Sequence, residues 1–298
     1  MKKNTLKIDT IHQFNCCLGN KTLHPQISII DLSKATRTNS SAKVNFYTIL
    51  LIENESNEYI YGRKYYDYSN ATMIFLPPGQ FLQIDENKPL PPKGWLLAFH
   101  PYLICGTTLD LHINNYSFFA YRTDEALHLS LREKNKAIEC LNHIEQELQH
   151  DIDRYSKILI SRYIELLLDY CSRFYERQFI TRCETNKSIL CKMEVLLNEY
   201  FQSDKLENKT LPSSEYCANI LCLSPYYFND LLKFETGKTL DVYFELKRIE
   251  IAKKMLLDKD CNVNQVVKKL GFSSIQYFSK LFQKITGTAP NAYRLNQN

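Results

Sequence analysis

The histidines and cysteines have the widest chemical reach in this chain, and their spacing withholds most of it. Seven histidines stand at positions 12, 24, 100, 112, 128, 143 and 150. A metal-dependent catalyst needs two or three such ligands and a carboxylate converging on one ion. No HxH or HxxxH pair falls within a strand-like run, and only His100 directly follows one, so neither a metal nor a cofactor is expected. The ten cysteines include no CxxC and no short Cys/His ligand spacing; Cys16 and Cys17 are adjacent, and Cys183 stands well before Cys191. Reduced thiols used for packing are the expectation, in a cytoplasmic setting. GxSxG, Walker and GxGxxG motifs are absent, which leaves hydrolase, nucleotide triphosphatase and dinucleotide readings without support. What remains in the first half is aromatic. Some of the 20 tyrosines, with Trp95, could hold a small organic effector; equally, the region could serve only dimerisation or a protein contact.

Those side chains sit on two kinds of element. From Ile27 to about Phe119 the sequence runs in short apolar segments broken by turn residues, which read as strands. They include Phe46 to Ile52, Tyr59 to Tyr61, Met73 to Leu76, Phe81 to Ile84 and Gly94 to Phe99. Many short strands imply an antiparallel β barrel or sandwich. Near Thr123 the period changes. Leu131, Ile138, Leu141, Ile144 and Leu148 form one helical stripe. On a second helix, Leu159, Tyr163, Leu166, Tyr170 and Phe174 lie beside a parallel stripe of Ile160, Ile164, Leu168, Cys171 and Tyr175. That arc is wide enough either for a helix wedged between sheet and partner helix, or for one inward stripe and one dimer stripe. Aspartate at Ile164 or Leu168 would probe the interface. Two helices are thus expected at about 125–150 and 154–178, with 173–187 as the linker.

The C-terminal third contains an internal repeat at an offset of 50. Ser224, Tyr227, Phe228, Leu231, Thr236, Gly237 and Tyr243 recur as Ser274, Tyr277, Phe278, Leu281, Thr286, Gly287 and Tyr293. Each copy opens on a serine able to cap a helix and closes on a glycine suited to the left-handed position after it. Short apolar triplets precede both: Cys217, Ala218 and Leu221, then Val266, Val267 and Leu270. A short helix, a tight turn (222–223 and 271–272) and a longer helix make a helix-turn-helix. Between the copies, 240–257 reads as one helix, with Val242, Leu246, Ile249, Met255 and Leu256 for packing and Lys247, Arg248, Lys253 and Lys254 outward. Two such heads on one rod can enter successive major grooves of duplex DNA. A bundle duplicated for packing alone would leave the coincidence of caps and charge without a reason.

Charge follows the same division. The 298 residues carry 37 basic and 33 acidic side chains, a small excess that names no partner. Residues 1–185 are balanced, and beyond Asp260 there is no acid, only Lys268, Lys269, Lys280, Lys284 and Arg294. The basic excess therefore lies in the second repeat. At 44% hydrophobic and 23% charged, the chain has material for proper cores and is not disordered in the main. The longest run without Asp, Glu, Lys or Arg, Tyr68 to Ile84, is broken by Pro77, Pro78 and Gly79. No membrane span or secretory signal is expected.

Through LSPYYFNDLLKFETGKT, KRIEIAKKML and GFSSIQYFSKLFQKITGTAPNAYR, the segment 186–298 resembles the AraC/XylS family of transcription regulators. YGRKYYDY, FLPPGQ, GWLLAFHP and DEALHLSLREK resemble the subset with a cupin-like β domain. The resemblance implies an α+β multidomain chain. Residues 1–180 would form a cupin-like sensing and dimerisation domain with two helices, and 187–298 an all-α double helix-turn-helix that binds double-stranded DNA. It implies no enzyme, but a homodimeric regulator, an activator under effector or partner control, with RNA polymerase and a small-molecule effector as further partners. The alternative is a cupin-type metal-dependent enzyme fused to a DNA-targeting module. The resemblance also places the second helix of each unit in the groove. In the first copy the outward residues are Pro225, Tyr226, Asn229 and Asp230. Asn229 could pair with adenine and Asp230 accept from cytosine N4, although a carboxylate is repelled by phosphates; Tyr226 would stack on sugar or touch a thymine methyl. In the second copy Ile275, Gln276, Ser279 and Lys280 point outward: Gln276 for adenine, Lys280 for guanine or phosphate, and Ser274 for cap and phosphate. Tyr227, Phe228, Tyr277 and Phe278 read as core.

Overall fold

The computed structural model describes residues 6–34, 42–53, 63, 67–82, 93–203, 206, 211–258 and 261–296. The chain divides into two compact units, Met1–Cys183 and Glu184–Asn298. In the first, β1 (Leu6–Ile8) leads to α1 (Ile11–Leu18), β2 (Ile27–Asp31), β3 (Ala42–Val44), β4 (Tyr47–Glu53), β5 (Ala71–Leu76), β6 (Phe81–Leu82) and β7 (Gly94–Phe99). Two short helices, α2 (Pro101–Ile104) and α3 (Thr108–His112), precede β8 (Leu127–Leu129), α4 (Leu131–Glu147) and α5 (Ser156–Thr181).

β2, β7, β4, β5 and β8 form, in that order, an antiparallel sheet. Because both faces are covered, its strands are apolar runs rather than alternations. Ile27, Ile29, Ile49, Leu51, Met73, Phe75, Leu97 and Phe99 face a core shared with α4 and α5. The residues between them, among them Ile30, Leu50, Ile52, Ile74, Leu96 and Ala98, face a second core under α1 and a small sheet. That period of two is the strand's own geometry. The small sheet, ordered β1-β3-β6, pairs β1 parallel to β3. Of the expected antiparallel barrel or sandwich, no closed barrel is seen among the described residues. Among the described residues the large sheet is open, with β2 and β8 at its edges, because helices rather than further strands cover its first face. The strand expected at 59–61 lies outside the described residues, and of the one expected at 81–84 only Phe81 and Leu82 are described.

Aromatic rings fill the helix-covered side. Phe75 lies 4.5 Å from Phe118, Phe118 stacks on Tyr175 at 5.4 Å, and Tyr47 stacks on Phe99 at 5.1 Å. Tyr116 donates to Asp169 at 2.8 Å and Tyr175 to the Glu125 carbonyl at 3.3 Å. These tyrosines, with Trp95 packed against the same core, are spent on the fold.

Three helix expectations change. Residues 127–129 pair with β5 as β8, so α4 begins only at Leu131, capped by Ser130 and Glu133. Leu131 itself is exposed. On α5, Ile160, Ile164, Leu168, Cys171 and Tyr175 are buried in the core, whereas Leu159 and Leu166 are exposed and Tyr163 and Tyr170 half-buried. The expected linker is helical. α5 runs on to Thr181, since Phe174, Tyr175, Gln178 and Phe179 continue its buried face. Gln178 bridges the His128 amide and the Ala126 carbonyl. The break is the single residue Arg182, whose guanidinium grips the buried Asp67 carboxylate through two bonds, at 3.0 and 2.6 Å.

Candidate nucleic-acid interface

The second unit is all helical among its described residues. α6 (Cys183–Gln202) opens at its boundary, followed by α7 (Ser214–Ile220), α8 (Pro225–Thr236), α9 (Leu240–Leu256), α10 (Val263–Lys269), α11 (Ile275–Thr286) and α12 (Pro290–Asn296). Two cores divide it. Met193, Leu196, Leu197 and Tyr200 of α6 meet Cys217 and Ala218 of α7, Phe228 and Leu232 of α8, and Leu240 and Phe244 of α9. Farther along the same α9, Ile249, Ala252 and Leu256 meet Val266, Val267, Leu270, Phe272, Phe278 and Phe282. α9 is thus one rod with a helix-turn-helix on each half.

The repeated residues do repeated work. Ser224 and Ser274 cap α8 and α11, accepting from the Tyr227 and Tyr277 amides at 3.2 and 3.1 Å. Thr236 and Thr286 donate to the carbonyls one turn back, Leu232 and Phe282. Both helices run for 12 residues. The turn position preceding α8 and α11 is left-handed in both copies, occupied by Cys222 (φ 57°) in one and Gly271 (φ 65°) in the other.

The two faces differ in chemistry. On α8, Tyr226 and Asn229 are exposed and Asp230 is half-buried. Asn229 accepts at Oδ1 from the Ser214 hydroxyl at 2.8 Å, so α7 orients its amide. On α11, Ile275, Gln276 and Lys280 are exposed, with Ser274 and Ser279 half-buried. Lys268, Lys269 and Lys284 are exposed as well, and Arg294 is half-buried with its guanidinium toward the Asp258 carbonyl.

Several residues fall where the sequence reading did not put them, Tyr277 and Arg248 above all. Tyr277 was expected in the core with its repeat partner, yet it is 43% exposed where Tyr227 is 3% exposed; its hydroxyl donates to Glu245 on α9. Hydrogen bonding to the Glu245 carboxylate raises the Tyr277 pKa. Arg248 was expected outward and is buried. Its guanidinium lies 3.6 Å from the Phe272 ring centre, and Nε donates to the Leu270 carbonyl at 2.9 Å. Burial holds its pKa down to about 10, still charged at neutral pH. The rod's packing residues shift accordingly: Val242 is exposed and Leu246 half-buried, while Leu240, Phe244 and Ala252 are buried. Lys247 is tied to Glu194 at 2.9 Å, so much of the rod's basic charge is matched within the unit. Nothing in the repeat itself separates Tyr277 from Tyr227. Nothing in the local sequence marks Arg248.

Residues 217–296 match the family described as Helix-turn-helix domain. The chain is 33% identical over 97 residues to the uncharacterized transcriptional regulatory protein YesN of Bacillus subtilis, covering 32% of this chain and 26% of that one. It is 28% identical over 144 residues to the arabinose operon regulatory protein of Escherichia coli, covering 47% and 45%. Among solved structures, the C-terminal domain of AraT, a response regulator from Geobacillus stearothermophilus, matches 36% of this chain and 84% of its own at 26% identity and a TM-score of 0.32. The matched stretch spans less than half the length of these two curated relatives. With its repeated capped helices and the family match, the second unit of this chain carries a helix-turn-helix domain.

Proposed function

We propose that the chain is a sequence-specific, DNA-binding transcription regulator whose two helix-turn-helix units read successive major grooves of one duplex. The observation that carries the reading is the repeat itself: equivalent capped helices, α8 and α11, fixed to the two halves of α9. At 17 residues, α9 is about 25 Å long, on the scale of the roughly 34 Å between successive grooves. Tyr226, Asn229 and Asp230 would read one half of the site; Ser274, Ile275, Gln276, Ser279 and Lys280 would read the other and hold its phosphates. Asn229 and Gln276 suit adenine, and Lys280 suits guanine or phosphate. The second helix-turn-helix supplies more of the sequence-independent attraction, because its lysines are exposed. Anisotropy titration of a labelled mixed-sequence duplex across a salt series tests this. Lys280→Ala is expected to weaken binding and reduce the salt slope by about one. An unchanged affinity and slope would overturn the division of labour, and no binding at low salt would overturn the function.

The first unit, in this reading, senses and dimerises. The exposed α5 stripe of Leu159 and Leu166, flanked by Tyr163 and Tyr170, is the surface for a second copy. Aspartate at Leu159 and Leu166 is the test, read as sedimentation of the full chain. The same change at Ile164 or Leu168 would disrupt the core instead. An effector or protein partner would act by shifting the population of DNA-competent dimers, and activation through RNA polymerase would appear as increased transcription from a reporter whose promoter carries a duplex that the chain binds.

A further inference from the structure

The two copies of the repeat differ at Tyr227 and Tyr277. Both follow a capping serine by three residues, yet one is buried and the other stands at the surface. Tyr277 is also placed differently in charge. Lys280 and Lys284, three and seven residues on, share its side of α11 and are exposed. The corresponding residues of α8 are Asp230 and Phe234. An aromatic hydroxyl in line with two lysines is suited to a strand of phosphates, but this hydroxyl is engaged elsewhere. A phenol has one proton to donate, and Tyr277 gives it to Glu245.

We propose that the Tyr277 hydroxyl is a DNA-phosphate contact of the second helix-turn-helix, and that Glu245 occupies it in the free protein. The inference rests on the DNA-binding reading above and adds a residue and a competition to it. The exchange is chemically even: an anionic carboxylate oxygen gives way to an anionic phosphate oxygen as acceptor. Glu245 is not stranded when the hydroxyl leaves. The buried Arg248 guanidinium acts electrostatically on both Glu245 and Tyr277, and its Nη2 has no hydrogen-bond partner. Glu245 is itself only half-buried, so water can take the place of the departing hydroxyl.

The competition has a signature that simple bracing of α11 against α9 lacks. The full chain, Tyr277→Phe, Glu245→Gln and the double variant are titrated against a fluorescein-labelled mixed-sequence duplex. In the native background Tyr277→Phe is expected to change Kd by less than about twofold, since one charge-assisted bond replaces another. In the Glu245→Gln background the amide competes weakly, and the same change is expected to weaken binding by about threefold to tenfold. The salt slope stays unchanged throughout that pair, because a phenol releases no counterion. An equal cost in both backgrounds, or none in either, overturns the proposal and leaves Tyr277 as a brace. A native chain that fails to bind the duplex at low salt defeats the functional reading itself, a distinct outcome. Should Glu245→Gln unfold the unit, Glu245→Ala makes the same comparison.

Discussion

Replacing Gly271 by alanine tests how the second reading head is held. The glycine sits in the turn between α10 and α11 at φ 65°, a left-handed conformation that costs an L-residue about 1–2 kcal/mol. Space is the second charge against alanine: an added Cβ would stand 2.3 Å from the Leu206 carbonyl oxygen. No contact of that length is tolerated, and the obstacle is backbone rather than a pliable side chain. Moving it costs a further ~1–3 kcal/mol, as overpacking does elsewhere, for a total of about 2–4 kcal/mol. Gly287, at φ 79° with nothing within 4 Å of its added Cβ, carries only the conformational part, about 1 kcal/mol. The mirror experiment lies in the other copy. Cys222 holds the equivalent turn at φ 57° with a side chain present, so Cys222→Gly relieves left-handed strain against a gain in unfolded-state entropy, a net stabilisation of ~0.5 kcal/mol. Urea unfolding followed by far-ultraviolet circular dichroism ranks the three. If Gly271→Ala cost no more than Gly287→Ala, the close approach of the Leu206 segment would have no energetic weight and the reasoning would be wrong.

Other outcomes follow from burial. Arg182→Ala leaves the fully buried Asp67 carboxylate without its cation and should destabilise the first unit by about 3–5 kcal/mol; fluorescence of Trp95, the single tryptophan, reports on that unit. Arg248→Ala removes a guanidinium stacked on Phe272 and should cost about 2 kcal/mol, seen as earlier loss of helical signal with Trp95 emission unchanged. Under native thiol labelling, the exposed Cys16, Cys105, Cys191 and Cys222 should react first. Cys140, Cys171 and Cys217 should lag, because burial raises all three thiol pKa values, that of Cys217 to about 11, and so suppresses the reactive thiolate. Fast labelling of Cys217 without denaturant would show that the first core of the second unit opens.

Local sequence carried the repeated unit well. A capping serine, a twelve-residue helix and a closing glycine are decisions made within one or two turns of chain, and the hydrogen bonds of Ser224, Ser274, Thr236 and Thr286 are all of that range. The strands were legible as apolar runs, but not their arrangement. Whether five strands close or stay open depends on what covers them, and α4 and α5, which cover them, come only after the last strand in sequence. The linker failed for a related reason: the polar residues of 173–181 find partners at Ala126, His128 and Glu133, so a stretch that reads as solvated is a packed helix.

The sequence by itself determined that two capped helix-turn-helix units flank one helix and that the basic excess lies in the second, because period, caps and charge are properties of neighbours along the chain. Only the tertiary structure decided which of two identical tyrosines is buried, that Arg248 turns inward onto Phe272, and that α5 reaches Arg182. Each of those depends on a surface brought from elsewhere. A side chain's burial is fixed by what the fold sets against it, and the repeat was placed in two different surroundings.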